Sequence, residues 1–373
     1  MMIGSISQAS QNGPIQGQKL PISTTWVRLR FLTKGHVNGW LGPAIRGLLL
    51  KPLRQRLCLL DERQQTERSE ALNDPIQERY CLNCDRMAEC SYGRIFEPDR
   101  LLISGRVHRG ARDGLRGITI ATQCYTEPAG PADASLLTSA TSEHSSSYNS
   151  LEIQPGDELT VRLLQIGPEA IDLGAEVLKV LQASGRTRGL GPDHVRFEID
   201  RASTSQQTSD LSIDSLPLHA LAGSVPSLKI HFDTPLFLKI KTADESNFGR
   251  TRRRFTDSSD SRPTISTVFR ESLRTVRRAV NEYANDDWAV GTDMRFLLDS
   301  ADDAKMVGSD LQPFTQPRSS ARQERRWQLM GWRGSLTVAD VPLHWLPYLQ
   351  WAGRLGVGDS RNCGAGLWRL ELG

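Results

Sequence analysis

Residues 355–368 read Leu355-Gly356-Val357-Gly358-Asp359-Ser360-Arg361-Asn362-Cys363-Gly364-Ala365-Gly366-Leu367-Trp368, followed by Arg369-Leu370-Glu371-Leu372. Two Gly–apolar–Gly triplets flank five residues, and an alternating strand pattern follows them. Glycines permit tight turns and close approach to another chain, which a Cβ would block. Successive exposed N–H groups in such a loop can cradle a phosphate, and Arg361 would add a charge there. The context excludes the better-known phosphate loops. A mononucleotide P-loop needs Lys-Ser/Thr after its last glycine and then a helix. A dinucleotide fingerprint needs Gly-x-Gly-x-x-Gly opening a series of βαβ units.

Working outward from the loop, Leu343–Ala352 reads as a short helix and Gly334–Val338 as a strand. Residues 264–284 form an amphipathic helix, with Ile265, Val268, Phe269, Leu273, Val276, Val280 and Tyr283 at helical spacing. Ahead of it, Ser227–Lys241 alternates as a strand around Thr234-Pro235. The same order occurs nearer the N-terminus: a strand over Thr24–Thr33, a turn at Lys34–Gly39, a helix over Trp40–Leu57, then several strand-like runs. Helices segregated from a mostly antiparallel sheet, twice over, predict an α+β chain of two tandem ferredoxin-like (RRM-like, βαββαβ) domains with a C-terminal glycine-rich loop. The expected boundaries are a disordered tail over 1–22, a first domain over 23–200 with a cysteine-containing insertion at 58–98, a Ser/Thr-rich linker over 201–225, and a second domain over 226–373.

The chain has 373 residues, 24% charged and 38% hydrophobic, with a formal net charge of +3. That is ordinary for a soluble globular protein and allows two domains. No apolar run reaches the ~18 residues of a transmembrane helix. The first 20 residues are polar and lack the apolar segment of a signal peptide. The six cysteines are too sparse for a small disulfide scaffold, so a reducing cytoplasm is expected.

Three clusters carry candidate chemistry. Cys58, Cys81, Cys84 and Cys90 include a Cys-x₂-Cys pair and suit a structural zinc site; buried reduced thiols are the alternative. Arg318, Arg322, Arg325, Arg326, Trp327, Trp332 and Arg333 mix cations with aromatics, a composition suited to phosphates and unpaired bases. Asp299, Asp302 and Asp303 could suggest a two-metal nuclease but lack supporting ligands and read as a solvated loop.

The glycine loop, the helix start Gly42-Pro43-Ala44-Ile45-Arg46-Gly47-Leu48-Leu49 and the segment Tyr92-Gly93-Arg94-Ile95-Phe96-Glu97-Pro98 after the cysteines together resemble the Cas6 family of the RAMP superfamily, the CRISPR-associated repeat-processing endoribonucleases. The resemblance touches most of residues 24–373 at scattered points. It implies metal-independent cleavage of CRISPR repeat RNA, with no catalytic cofactor: the 2′-OH attacks the adjacent phosphorus, leaving a 2′,3′-cyclic phosphate and a 5′-OH. The implied partners are a repeat stem-loop RNA and subunits of an effector complex, with no membrane. His36, in the loop where the family often keeps its general base, is the first catalytic candidate. His344 is the second, and Arg46 is a candidate for stabilising the phosphorane. Arg318, Arg322, Arg325, Arg326, Gly356, Gly358, Arg361, Gly364 and Gly366 are the expected RNA contacts. Related loops often carry a His at the first glycine and a Lys three positions on; here Gly356 and Asp359 stand there. A non-catalytic RNA-binding subunit of the same superfamily is therefore the alternative.

Overall fold

The computed structural model describes residues 20–60, 86, 89–96, 117–122, 150–205, 224–238, 262–283, 294–302, 304–320 and 325–373. The first domain follows the order β1 (Ile22–Phe31), β2 (Gly35–Val37), α1 (Gly42–Leu57), α2 (Ser91–Phe96), β3 (Ile118–Thr122), β4 (Leu151–Ile153), β5 (Glu158–Ile166), α3 (Pro168–Asp172), α4 (Gly174–Thr187) and β6 (Phe197–Ser205). Its main sheet has the order β3-β5-β1-β6, every neighbour antiparallel. With α1 and α4 as crossovers this is the βαββαβ arrangement expected from the sequence. Strand β1 alternates cleanly: Val27, Leu29 and Phe31 are buried in the core shared with α1 and α4, whereas Trp26, Arg28 and Arg30 lie on the open face.

The second domain repeats the plan with β7 (Ser224–Leu236), α5 (Ile265–Tyr283), α6 (Met294–Asp299), β8 (Lys305–Ser309), β9 (Gln312–Ser320), β10 (Arg325–Pro342), α7 (Leu346–Leu355) and β11 (Trp368–Leu372). The sheet order β11-β7-β10-β8 matches that of the first domain strand for strand, again with antiparallel neighbours. Helix α5 buries Ile265, Val268, Phe269, Leu273, Val276 and Val280, as its spacing predicts, and Phe269 stacks on Trp345 at 3.9 Å between centroids.

Two sequence expectations change. The linker is shorter than 201–225: β6 continues through Arg201–Ser205, paired with Thr24–Arg28, and β7 begins at Ser224. Ser and Thr there serve an edge strand, a role that suits β-branched Thr. The basic run 318–333 forms the two arms of a long hairpin, in which β9 and β10 pair from Gln312↔Arg333 at the base to Ser320↔Arg325 near the tip.

The domains share apolar surface. Strand β5 loses its alternation at Leu163-Leu164-Gln165-Ile166, all buried. Leu163 faces the helices of its own domain, whereas Leu164 and Ile166 join Leu20 and Ile22 in the core of the second domain. A strand covered on both faces needs no polar side.

Candidate functional site

The glycine loop is the seam between the domains. Gly364 has φ +79°, and a Cβ there would lie 2.4 Å from both the Ile120 carbonyl oxygen and the Ala121 Cα of β3. The Cys363 carbonyl occupies the space a side chain on Gly42, at the start of α1, would need. Gly366 (φ +69°) meets the Val357 backbone just as closely. The loop amides are engaged within the protein. Val357, Asp359, Gly364 and Gly366 donate to the carbonyls of Gly366, Phe237, Arg361 and Pro235, and Gly356 donates to Ala352. The Leu367 N–H goes to the Thr234 hydroxyl. Gly356, Gly364 and Gly366 spend their N–H groups on the fold, and Gly358 forms a parallel bridge with Phe237. Arg361 is only 9% exposed and donates to the Thr275 hydroxyl of α5 at 3.3 Å, so it does not face an external ligand.

The segment between β1 and α1 runs beside this seam. Trp40 is fully buried against Phe237, which packs in turn on Phe314 of β9. The Gln316 side chain of β9 bonds the Trp40 backbone twice, accepting from its N–H at 3.2 Å and donating to its carbonyl at 3.0 Å. The hairpin, the glycine loop and the start of α1 thus converge on residues 40–42.

Four residues earlier, His36 remains open to solvent, with its side chain 58% exposed. Its ring is nevertheless held. Asp193 Oδ2 accepts the His36 backbone N–H at 2.8 Å and lies 3.1 Å from Nδ1. The His36 backbone N–H, then its ring, hold the Asp193 carboxyl below the usual carboxylate range. The second ring nitrogen, Nε2, has no hydrogen-bond partner among the described residues. Exposed Lys34 sits in the same turn. Asp193 was missed by sequence reasoning; Gly189-Leu190-Gly191-Pro192-Asp193-His194 carries a turn signature, but nothing in it names the partner.

The other candidates disperse. His344 lies in the second domain, with Nε2 3.3 Å from the Ser300 hydroxyl and its ring 5.3 Å from Phe296, and is not brought to His36's partner Asp193. Arg46 is 7% exposed on the buried side of α1, which removes it from the surface beside His36. Arg318, Arg325 and Arg326 lie on the outer part of the hairpin, and Arg322 falls outside the described residues.

Of the four cysteines, Cys81 and Cys84 fall outside the described residues. Cys90 is buried with its Sγ 3.7 Å from the Leu57 carbonyl, and Cys58 lies beside it, its thiol pushed up by burial. Two adjacent thiols fit half of a four-cysteine zinc site. Asp299 is exposed and 4.0 Å from Arg295, Asp303 is outside the described residues, and no group of three metal-binding side chains occurs among the described residues. No helix among them is long and apolar enough to cross a membrane.

A polar seam joins the open sheet faces. Arg162 of β5 donates to the Arg354 carbonyl at the end of α7 at 2.9 Å, and burial pushes its guanidinium down to about 10. Across from it Asp233 of β7 is pushed up by burial although Arg369 pairs with it.

No protein-family model and no curated protein sequence matches the chain. Solved structures do. A chain of a partial Cas6-RT-Cas1–Cas2 complex matches with a TM-score of 0.50 at 11% identity, over 96% of this chain and 47% of that one. This protein therefore spans about half the length of that chain. A Cas6 product complex matches with a TM-score of 0.46 at 14% identity, over 94% of this chain and 100% of that one. Thermus thermophilus Cas6 matches with a TM-score of 0.43 at 11% identity, over 95% of this chain and 100% of that one. The first of these likenesses shows a shared fold with that chain.

Proposed function

We propose that this protein binds CRISPR repeat RNA and cleaves it without a metal ion, His36 acting as general base. The observation that carries the reading is the exposed His36 ring, anchored through Nδ1 and open at Nε2, between the first strand and first helix of a tandem ferredoxin-like fold. The Cas6 resemblance of the glycine loop and the likeness of fold support it. In the reaction Nε2 takes the proton of a ribose 2′-OH, the 2′ oxygen attacks the adjacent phosphorus, the P–O5′ bond breaks, and the departing 5′ oxygen takes a proton from water. The products are a 2′,3′-cyclic phosphate and a 5′-OH. Arg318, Arg322, Arg325 and Arg326 would engage RNA phosphates, since guanidinium groups bind phosphate well. Cys58, Cys81, Cys84 and Cys90 would hold one structural zinc, read out as metal content of the purified protein and its loss in Cys90→Ser.

The test is incubation with candidate repeat RNA in EDTA, beside a copy with a single 2′-deoxy substitution at the cut. Cleavage of the first alone, slowed by about 10²–10⁴-fold in His36→Ala, is the expected result. Cleavage that EDTA abolishes and Mg²⁺ restores overturns it. A second reading, a non-catalytic RNA-binding RAMP subunit within an effector complex, is favoured by the burial of Arg46 and Arg361, two of the candidate phosphate-binding cations. Tight binding with no cutting of either RNA would select it.

A further inference from the structure

We infer that Asp193 is a positioning residue that fixes the tautomer and orientation of the His36 ring, with Nδ1 carrying the proton and Nε2 bearing the free lone pair. The catalytic consequence rests on the function proposed above; the tautomer itself does not.

The pairing is built into the backbone on both sides. Gly35 has φ +154°, and a Cβ on it would lie 2.8 Å from the Asp193 Cβ. Gly191 has φ +70°, and a Cβ there would lie 2.6 Å from the His36 carbonyl oxygen. The two turns interlock because neither of these glycines has a side chain. The turn that carries Asp193 is closed by reciprocal hydrogen bonds between Leu190 and Val195, at 2.9 and 2.8 Å. His194 beside it takes φ +51° and binds the Arg188 carbonyl through Nδ1 at 3.0 Å. On the other side β2 pairs with β4, setting His36 opposite Glu152. A paired strand on one side and a closed turn on the other therefore bring one carboxylate oxygen to the backbone N–H and the ring Nδ1 of the same residue.

That oxygen decides the proton's place. Oδ2 accepts the His36 backbone N–H, so it faces His36 as an acceptor. The same atom lies 3.1 Å from Nδ1. An ionised carboxylate offers no proton, so Nδ1 must donate, and in the neutral ring Nε2 is then the acceptor. A general base needs that nitrogen unprotonated toward the 2′-OH.

The experiment uses the full chain with ¹⁵N-labelled histidine, His36→Ala identifying the resonances. At pH 8 the wild-type His36 ring is expected to show a protonated Nδ1 and an unprotonated Nε2. Asp193→Ala should shift the ring to the Nε2–H form or a mixture. Asp193→Asn should preserve the wild-type pattern, because the backbone N–H keeps the amide oxygen where Oδ2 was. With repeat RNA, Asp193→Ala should lower kcat at least tenfold with KM unchanged, and Asp193→Asn should recover most of it. An Nδ1–H ring retained in Asp193→Ala, or an Nε2–H ring in wild type, overturns the inference. Undiminished cleavage by His36→Ala overturns the proposed function instead, and the tautomer result is read independently of it.

Discussion

Gln316 holds Trp40 by both of its backbone polar groups, 276 residues apart in sequence. The contact crosses from the hairpin of the second domain to the turn before α1 in the first. Both Trp40 groups are buried, so neither has water as a substitute. Gln316→Ala orphans a donor and an acceptor at once. Each such loss costs about 1–3 kcal/mol, so urea unfolding should register a drop of about 2–6 kcal/mol. A drop below about 1 kcal/mol would mean the hairpin docks through Trp40, Phe237 and Phe314 alone.

The interdomain seam makes a paired prediction about glycine. Gly364→Ala forces a Cβ onto β3 in a left-handed backbone conformation. It should destabilise by well over about 1 kcal/mol, lowering the thermal midpoint and exposing the seam to protease. Gly47 is an exposed residue inside α1 with nothing within 4 Å of its Cβ direction. Gly47→Ala should stabilise by about 0.5–1 kcal/mol. If both variants behave alike, the loop does not seat against β3 as described.

Glu198 sets an acid limb on stability. It accepts from Arg30 at 2.5 Å and Arg186 at 3.0 Å, tying β1 and α4 to β6. The Arg30 hydrogen bond, then that from Arg186, hold its carboxyl below the ordinary value of 4.5. The unfolded chain therefore binds more protons between the two values. The contribution is fully present above about pH 4.5 and is lost as pH falls through the lower, folded value. Over pH 5 to 3 the urea midpoint of wild type should fall more steeply than that of Glu198→Gln. Parallel slopes would show that the two arginines leave Glu198 unperturbed.

The fold was legible because its periodicities are strong and local. Helix α5 declares itself through seven apolar positions, and β1 through its alternation. The strand order follows once two strand–helix–strands units are seen. The hairpin was not legible: β9 is polar and carries Pro313 and Pro317, and its pairing with β10 is decided by partners across the turn. Of the proposed site, His36 is a candidate already from its residue type and the family resemblance. Asp193 is not, because only folding brings residue 193 to residue 36. The glycine loop guided in fold. Its spacing is the same whether the amides face a phosphate or the protein, and only the interdomain contact separates the two.

The hairpin provides the remaining prediction, on RNA affinity. Arg325 and Arg326 pair with Ser320 and Ser319 near its tip, beyond the part anchored by Gln316 and Phe314. A phosphate contact releases counterions, so its removal lowers both affinity and the dependence of affinity on salt. Arg325→Gln with Arg326→Gln should reduce the slope of log K against log salt by about 2, one per lost contact, and weaken matched and unrelated stems alike. Arg295→Gln is the control. Arg295 neighbours Phe296, whose ring packs on His344 just past the opposite end of β10, so loss of one charge there should leave the slope unchanged. A slope reduced by about 1 in Arg295→Gln, in proportion to the charge removed, would mean that overall charge drives binding and that the hairpin tip does not meet the RNA.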